Sequence, residues 1–217
     1  MNGRPTIPLT ALRTLTPDER QRSLAKALAE APAGEPLRLF AYGSLIWSPC
    51  FAFDEAVTAT LHGHRRAFNF WTIQTRGTPE LPGLGLGLEP GGSCEGVLYR
   101  IPESARGEAM EAIWAREMLS AVYSAEWLPV RTPGGAFRAL CFVTNPAHEQ
   151  YAGRLDGDTA ARIIARACGA KGTCRDYLAE AVRALARHGV PDPYLDELLA
   201  LVDRLAPLAS GSAAPRP

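Results

Sequence analysis

Hydrophobic and polar positions divide the chain into an opening helix, a run of strands with one helix set into it, and a helical end. Thr16-Pro17-Asp18-Glu19 has the form of a helix start: Thr16 can cap, Pro17 suits the first helical position and Glu19 can complete a capping box. That helix is expected to reach about Glu30. Ala31 to Pro36 is a Pro/Gly linker, so residues 1–36 read as an N-terminal helical extension. From Leu37 the pattern is that of strands. Leu37–Tyr42 is mostly apolar and ends at Gly43-Ser44; Val57, Ala59 and Leu61 alternate with polar or small residues; Ala67–Trp71 is aromatic-rich. Leu84–Leu88 and Gly96–Ile101 bracket Pro90-Gly91-Gly92-Ser93, and Glu126–Arg131 and Phe137–Thr144 bracket Pro133-Gly134-Gly135. Each pair is expected to form a hairpin. One helix, about Ser104–Leu119, separates the two pairs. After Gly157 three helices are expected, near Asp158–Cys168, Cys174–His188 and Tyr194–Leu205, and the small-residue, Pro-rich end at 208–217 reads as a disordered tail. Mostly antiparallel strands flanked by helices make residues 37–207 an α+β domain, with strands enough to close into a barrel.

A chain of 217 residues suits one such domain and buries enough surface to fold without a metal or disulfide staple. Lys+Arg and Asp+Glu each number 23, a net charge of zero, which argues against a general nucleic-acid partner. No stretch has the length and apolarity of a membrane span, and the first 36 residues hold no signal-type apolar run. Cys50, Cys94, Cys141, Cys168 and Cys174 are odd in number, irregularly spaced and without a Cys-x-x-Cys pair. Free thiols in a reducing, cytoplasmic setting are the expectation.

The helix near 104–119 carries the strongest chemical signal. Advancing about 100° per residue, Met110, Ile113, Trp114, Met118 and Ala121 share one face, and Glu117 falls in the middle of it. A carboxylate there is either half of a core ion pair, with Arg65 or Arg66 as partner, or a general acid/base whose pKa is raised by desolvation. Tyr42-Gly43-Ser44-Leu45 lies where a strand ends, and such a turn can present several backbone N–H groups to a carboxylate or a developing oxyanion. Arg76, in a long polar loop, suits a clamp on a substrate carboxylate. Gly83-x-Gly85-x-Gly87 lacks the spacing and following helix of a dinucleotide loop and reads as a strand that another group approaches closely. His62 and His64 would share a strand face but have no acidic or Cys partner nearby in sequence. Ser44, Cys50 and Cys141 lack the local contexts of known nucleophiles.

Six stretches, in order, together resemble the ChaC family of glutathione-specific γ-glutamylcyclotransferases: Tyr42-Gly43-Ser44-Leu45-Ile46-Trp47, Arg76-Gly77-Thr78-Pro79, Gly91-Gly92-Ser93-Cys94-x-Gly96-Val97, Trp114-x-Arg116-Glu117-Met118, Asn145-Pro146 with Gln150-Tyr151-Ala152-Gly153-Arg154-Leu155, and Gly172-x-Cys174-Arg175-Asp176-Tyr177-Leu178. The resemblance implies the γ-glutamylcyclotransferase-like mixed barrel and conversion of glutathione to 5-oxoproline and cysteinylglycine, with no cofactor and no metal. It implies Glu117 as the catalytic carboxylate, and Tyr42, Gly43, Ser44, Leu45 and Tyr123 as substrate-binding residues; Arg76 and Tyr151, which lie in two of the quoted stretches, are taken as substrate-binding candidates beside them. Two positions depart from the family pattern. Ala41 precedes the loop where glycine is usual, and Ser120-Ala121 stands where Thr-Gly commonly precedes Val-Tyr. A barrel of this kind acting on another γ-glutamyl compound, and a non-catalytic glutathione-binding module, are the alternatives.

Overall fold

A computed structural model describes residues 12–205, so the expected tail at 208–217 lies outside the described residues. Thr16 caps helix α1 (Pro17–Ala29) with the expected reciprocal bonds: the Glu19 amide donates to Thr16 Oγ1 and Glu19 Oε2 accepts from the Thr16 amide at 2.9 Å. Five strands then close a barrel: β1 (Leu37–Ala41), β2 (Glu55–Thr72), β3 (Gly83–Ile101), β4 (Tyr123–Thr132) and β5 (Gly135–Thr144). Their order around it is β1-β3-β2-β4-β5, with every pair antiparallel except the closing one, β1 against β5 at Leu39↔Leu140. Helix α2 (Arg106–Glu117) joins β3 to β4. Helix α3 (Gly157–Ile164), a small hairpin of β6 (Cys168–Gly169) and β7 (Gly172–Thr173), and helices α4 (Cys174–Arg187) and α5 (Pro193–Leu205) complete the α+β architecture.

Two sequence expectations change. The β4–β5 hairpin forms, but the one expected around Gly91-Gly92 does not. Residues 83–101 are a single strand, and the two strand-like stretches within 55–72 are likewise one. β2 and β3 form one long ribbon whose register slips between His62 and His64, opposite Gly91 and Gly92. Gly63, Gly91 and Gly92 all take positive φ (83°, 111° and 72°), so their freedom makes a bulge on facing strands rather than a reversal. The bulge bends the ribbon, as a barrel wall must bend, and interrupts the alternation that was to put His62 and His64 on one face.

The second change concerns α1, which is not an appendage. Leu24 and Ala27 are buried, the Trp114 indole N–H donates to Ser23 Oγ at 2.8 Å, and the Trp127 indole N–H donates to the Ala27 carbonyl at 2.9 Å. A linker rich in Pro and Gly marks a change of direction but not a loss of contact.

Met110, Ile113 and Trp114 of α2, all buried, pack against the barrel in the core that also holds Leu39, Leu86 and Leu140. Across that core runs one charged tie. The Arg66 side chain, 2% exposed, donates from Nε to the Tyr42 carbonyl at 2.7 Å, from Nη2 to the Glu95 carbonyl, and pairs through Nη1 with Asp192. Asp192 in turn accepts from the Tyr194 amide at 3.0 Å at the start of α5. A buried charge with all its partners present is retained at modest cost; stripped of one, it is strongly destabilising.

Close approach explains the glycines of β3. A Cβ on Gly85 would overlap the Phe70 ring, and one on Gly96 would overlap the Ala41 carbonyl oxygen of β1. The Gly96 neighbour is backbone and cannot turn aside. Gly96→Ala is therefore expected to lower the free energy of unfolding by about 1–3 kcal/mol, the usual cost of overpacking. Urea unfolding should show it as a lower midpoint at unchanged slope.

Candidate active site

Between the end of α2, the loop after β1, the β2–β3 loop and the β6–β7 hairpin lies a cavity of about 740 Å³. Glu117, the last residue of α2, lines it together with Ser44, Arg76, Arg116, Tyr123 and Tyr177. The helical phase that turns Glu117 inward holds, but inward here is toward a cavity and not into sealed core. Its side chain is 14% exposed. Arg65 pairs with Glu89 and Arg66 with Asp192, so neither is the partner of Glu117. The cation beside it is its chain neighbour, Arg116, with Nε 3.3 Å from Oε1. That guanidinium is shared: Nη2 donates to Ser44 Oγ at 2.7 Å and Nη1 to the Ser48 carbonyl. Glu117 accepts no hydrogen bond of normal geometry among the described residues. Burial raises its carboxyl pKa above the usual carboxylate value, with Arg116 and Lys171 pulling the other way.

The loop after β1 turns tightly, with the Ile46 amide donating to the Gly43 carbonyl at 2.9 Å and the Ser48 amide to the Ser44 carbonyl at 3.0 Å. Among the described residues, the amides of Gly43, Ser44 and Leu45 find no backbone acceptor in that turn, and of the three residues Ser44 lines the cavity. Tyr42 and Leu45 do not reach the cavity wall. Both are buried, and the Tyr42 hydroxyl donates to the Phe142 carbonyl at 2.7 Å. Tyr123 does reach it. Its hydroxyl donates to the Leu86 carbonyl at 2.9 Å, and its ring lies edge-on to Phe70, centroids 5.3 Å apart. Burial first raises both phenols, followed by the charge of Glu117 for Tyr42 and by the Tyr42 phenol and then Glu117 for Tyr123, so both stay protonated.

Arg76 is fixed from two sides. Its Nη1 donates to the Thr173 carbonyl at 3.3 Å, and its guanidinium lies 5.5 Å from the centre of the Tyr177 ring. The loop that carries it is bound to the β6–β7 hairpin, the Lys171 amide donating to the Thr75 carbonyl at 2.9 Å and the Ala170 amide to the Gln74 carbonyl at 3.3 Å.

Tyr151 is the misplaced candidate. Its backbone bridges to Phe70 on the barrel wall, and its hydroxyl lies in the field of Glu89, Arg154 and Arg65, away from the cavity lining. Gln150, one residue earlier and so facing the other way, lines the cavity instead. Its amide nitrogen donates to the Trp71 carbonyl at 3.0 Å, and its oxygen accepts from Ser120. Sequence reasoning missed Arg116, Gln150, Lys171 and Tyr177 as site residues. Each sat inside or beside a quoted motif. Tyr177 shares the face of α4 with buried Cys174 and Leu178, a spacing that could have marked it as inward-facing. Burial raises the thiols of Cys50 and Cys141, the opposite of what a nucleophile needs. Among the described residues no group of three or more His, Cys, Asp or Glu gathers as a metal site.

The barrel shares its fold with the crystal structure of a yeast γ-glutamyl cyclotransferase specific to glutathione, at a TM-score of 0.72 and 23% identity over 79% of this chain and 97% of that one. Fold and site together define a γ-glutamylcyclotransferase-like barrel whose cavity holds, among the described residues, one carboxylate. The chain belongs to the ChaC-like protein family, whose sequence profile matches residues 37–205. Among its relatives, the glutathione-specific γ-glutamylcyclotransferase of Escherichia coli is 36% identical over 87% of this chain and 82% of its own length. The γ-glutamylcyclotransferase 2-3 of Arabidopsis thaliana is 31% identical over 74% and 85% respectively.

The departure at Ser120-Ala121 has a structural cost. Ala121 has φ 57°, and no other described non-glycine residue has a positive value. That left-handed conformation costs an L-residue about 1–2 kcal/mol, part of which glycine returns through its greater freedom when unfolded. Ala121→Gly is expected to raise stability by about 0.5–1 kcal/mol, read as a higher thermal midpoint with Tyr123 still seated.

Proposed function

We propose that the protein is a cyclotransferase that converts reduced glutathione to 5-oxoproline and cysteinylglycine, with Glu117 as its acid/base. The observation that supports this above others is the Glu117 carboxylate itself: desolvated, raised in pKa, without a hydrogen bond among the described residues, and facing a cavity lined by cations and by Ser44 of the loop after β1. The names of the relatives supply the substrate, and membership of the family makes that choice specific.

The reaction is an internal aminolysis. The α-amine nitrogen of the γ-glutamyl group attacks the γ-carbonyl carbon and forms the lactam C–N bond. The C–N bond to cysteinylglycine then breaks. The amine arrives as an ammonium ion with three protons and the lactam nitrogen keeps one, so two protons must leave it, one before attack and one after. The departing nitrogen takes one as the C–N bond breaks and a second as it becomes an ammonium ion. Glu117 takes the first and delivers one to the departing nitrogen, and needs no net change of charge to do so. A raised pKa suits both duties. The amides of Gly43, Ser44 and Leu45 hold the negative oxygen of the substrate, whether carboxylate or developing oxyanion. Arg76 clamps a carboxylate. The Tyr123 O–H donates to the Leu86 carbonyl, so toward the cavity its oxygen can only accept, which suits an ammonium N–H. Tyr42 acts from behind the wall: its carbonyl and hydroxyl fix where the loop begins. Closing a five-membered ring requires the substrate folded, and holding it so supplies a proximity advantage of several kcal/mol on the order of that seen in intramolecular reactions.

Among the described residues no helix is long and apolar enough to cross a membrane. A cytoplasmic location, where glutathione is abundant and reduced, and the absence of a nucleic-acid partner complete the proposal.

Glu117→Gln is expected to lower turnover by about 10²–10⁴-fold while the fold persists. The sign of the stability change follows from the raised pKa. A carboxyl with a higher pKa folded than unfolded favours the fold below its unfolded value, and that contribution is lost as pH climbs through the folded one. At neutral pH the Gln variant should therefore melt at or above the wild type, with the gap closing as pH falls toward 4.5. The acid limb of kcat/KM for the wild type should lie above the same value. Near-native turnover in a well-folded variant would end the assignment of Glu117.

The free α-amine is the nucleophile, so glutathione acetylated on that nitrogen is expected to yield no 5-oxoproline. Equal turnover of the acetylated compound would refute cyclisation.

A further inference from the structure

Among the described residues, four cationic side chains line the cavity, Arg13, Arg76, Arg116 and Lys171, against one carboxylate, Glu117. Two of the four have acidic partners within the protein: Arg13 pairs with Glu19, and Arg116 with Glu117. Among the described residues, Arg76 and Lys171 have none within ion-pair distance. Glutathione brings two carboxylates. The one on the γ-glutamyl α-carbon is adjacent to the reacting amine and must lie at the inner end. Arg76 belongs to that end, because it stacks on Tyr177, and Tyr177 lies against Gly43, with its oxygen 3.7 Å from where a Gly43 Cβ would stand. The other carboxylate ends the glycine, two residues past the scissile amide, or roughly 7 Å away in extended form. Lys171 is placed for it. It lies at the tip of the β6–β7 hairpin, exposed to solvent yet lining the same cavity as Glu117.

The hairpin is built as a fixed arm. Lys171 and Ala170 donate their amides to the Thr75 and Gln74 carbonyls, and a Cβ on Gly169 would overlap the backbone of Gly77. The turn is thereby held against the loop that carries Arg76, and the two unpaired cations keep a set spacing. We propose that Lys171 is a specificity-determining residue that binds the glycine carboxylate of glutathione, so that the site selects the tripeptide over shorter γ-glutamyl compounds and over those without a distal charge. The inference rests on the cyclotransferase reading above and extends it to the far end of the substrate.

The test measures 5-oxoproline formation by the wild type, Lys171→Met and Lys171→Arg, each with glutathione and with glutathione whose glycine carboxylate is converted to the carboxamide. Lys171→Met is expected to raise KM for glutathione about tenfold, the low end for a charge-assisted contact because the hairpin tip is open to water. The kcat should change less than KM, since the carboxylate contact is equal in ground and transition states and Lys171 acts on Glu117 only through its charge. Lys171→Arg should recover most of the loss. The carboxamide should show the raised KM already with the wild type and no further rise with Lys171→Met. An unchanged KM for glutathione in Lys171→Met, or an equal rise for both substrates, overturns the assignment of Lys171 while the cyclotransferase reading stands. Absence of 5-oxoproline from either substrate with the wild-type protein overturns the cyclotransferase reading, and this assignment with it.

Discussion

The buried guanidinium of Arg66 ties the end of β1 and the neighbouring β3 to the segment that leads into α5. It reaches the Tyr42 carbonyl at the end of β1, the Glu95 carbonyl in β3 and the carboxylate of Asp192 ahead of α5. The loop after β1 begins at Tyr42, so where it starts is set by the Arg66 side chain at the Tyr42 carbonyl and by Phe142 at its hydroxyl. The C-terminal helices are referenced to the same point, and α4 carries Tyr177 and adjoins the β6–β7 hairpin. With any of the three acceptors removed, a charge would remain in the core without its full set of partners, and such a charge costs several kcal/mol. Each acceptor is therefore constrained by the other two.

The opposite treatment is given to Glu117. Arg66 is buried and satisfied; Glu117 is buried and left wanting. The nearby cation, Arg116, divides its donors between Ser44, Ser48 and the carboxylate, so the pairing stays too weak to cancel the effect of desolvation. Two of the phenols around it have already bonded to backbone carbonyls, Tyr42 to Phe142 and Tyr123 to Leu86, while the Tyr177 hydroxyl has no such bond among the described residues. A carboxylate is thus kept short of donors by those neighbours that are occupied elsewhere, which leaves its lone pairs for a ligand.

Much of this was legible in the chain. The α2 periodicity exposed Glu117 because one charged residue in an apolar stripe is conspicuous, and the capping box of α1 was complete in four letters. What failed did so for local reasons. Gly91-Gly92 reads as a turn in any window of ten residues, and only its partner bulge at Gly63, some thirty residues away, makes it a bend in a continuous strand. The linker at 31–36 hid the docking of α1, which depends on two indole N–H groups nearly a hundred residues off. Tyr151 and Gln150 alternate across one strand-like segment, so an error of one position moved the candidate to the wrong side of the wall. Arg116 and Lys171 carry charge, which in a sequence reads as surface; only the cavity distinguishes them from the other cations.

The parallel closure of the barrel bears on how the chain is made. β1 meets β5 at Leu39 and Leu140, about a hundred residues apart, and every other strand must be in place before that seam can form. During synthesis β1 can gain β3 on one side, but its other edge has no partner until β5 leaves the ribosome. An apolar strand with one open edge is a template for pairing with other chains. The interval between the two strands is the period in which the nascent protein is most exposed to aggregation, and the seam, once closed, ends it.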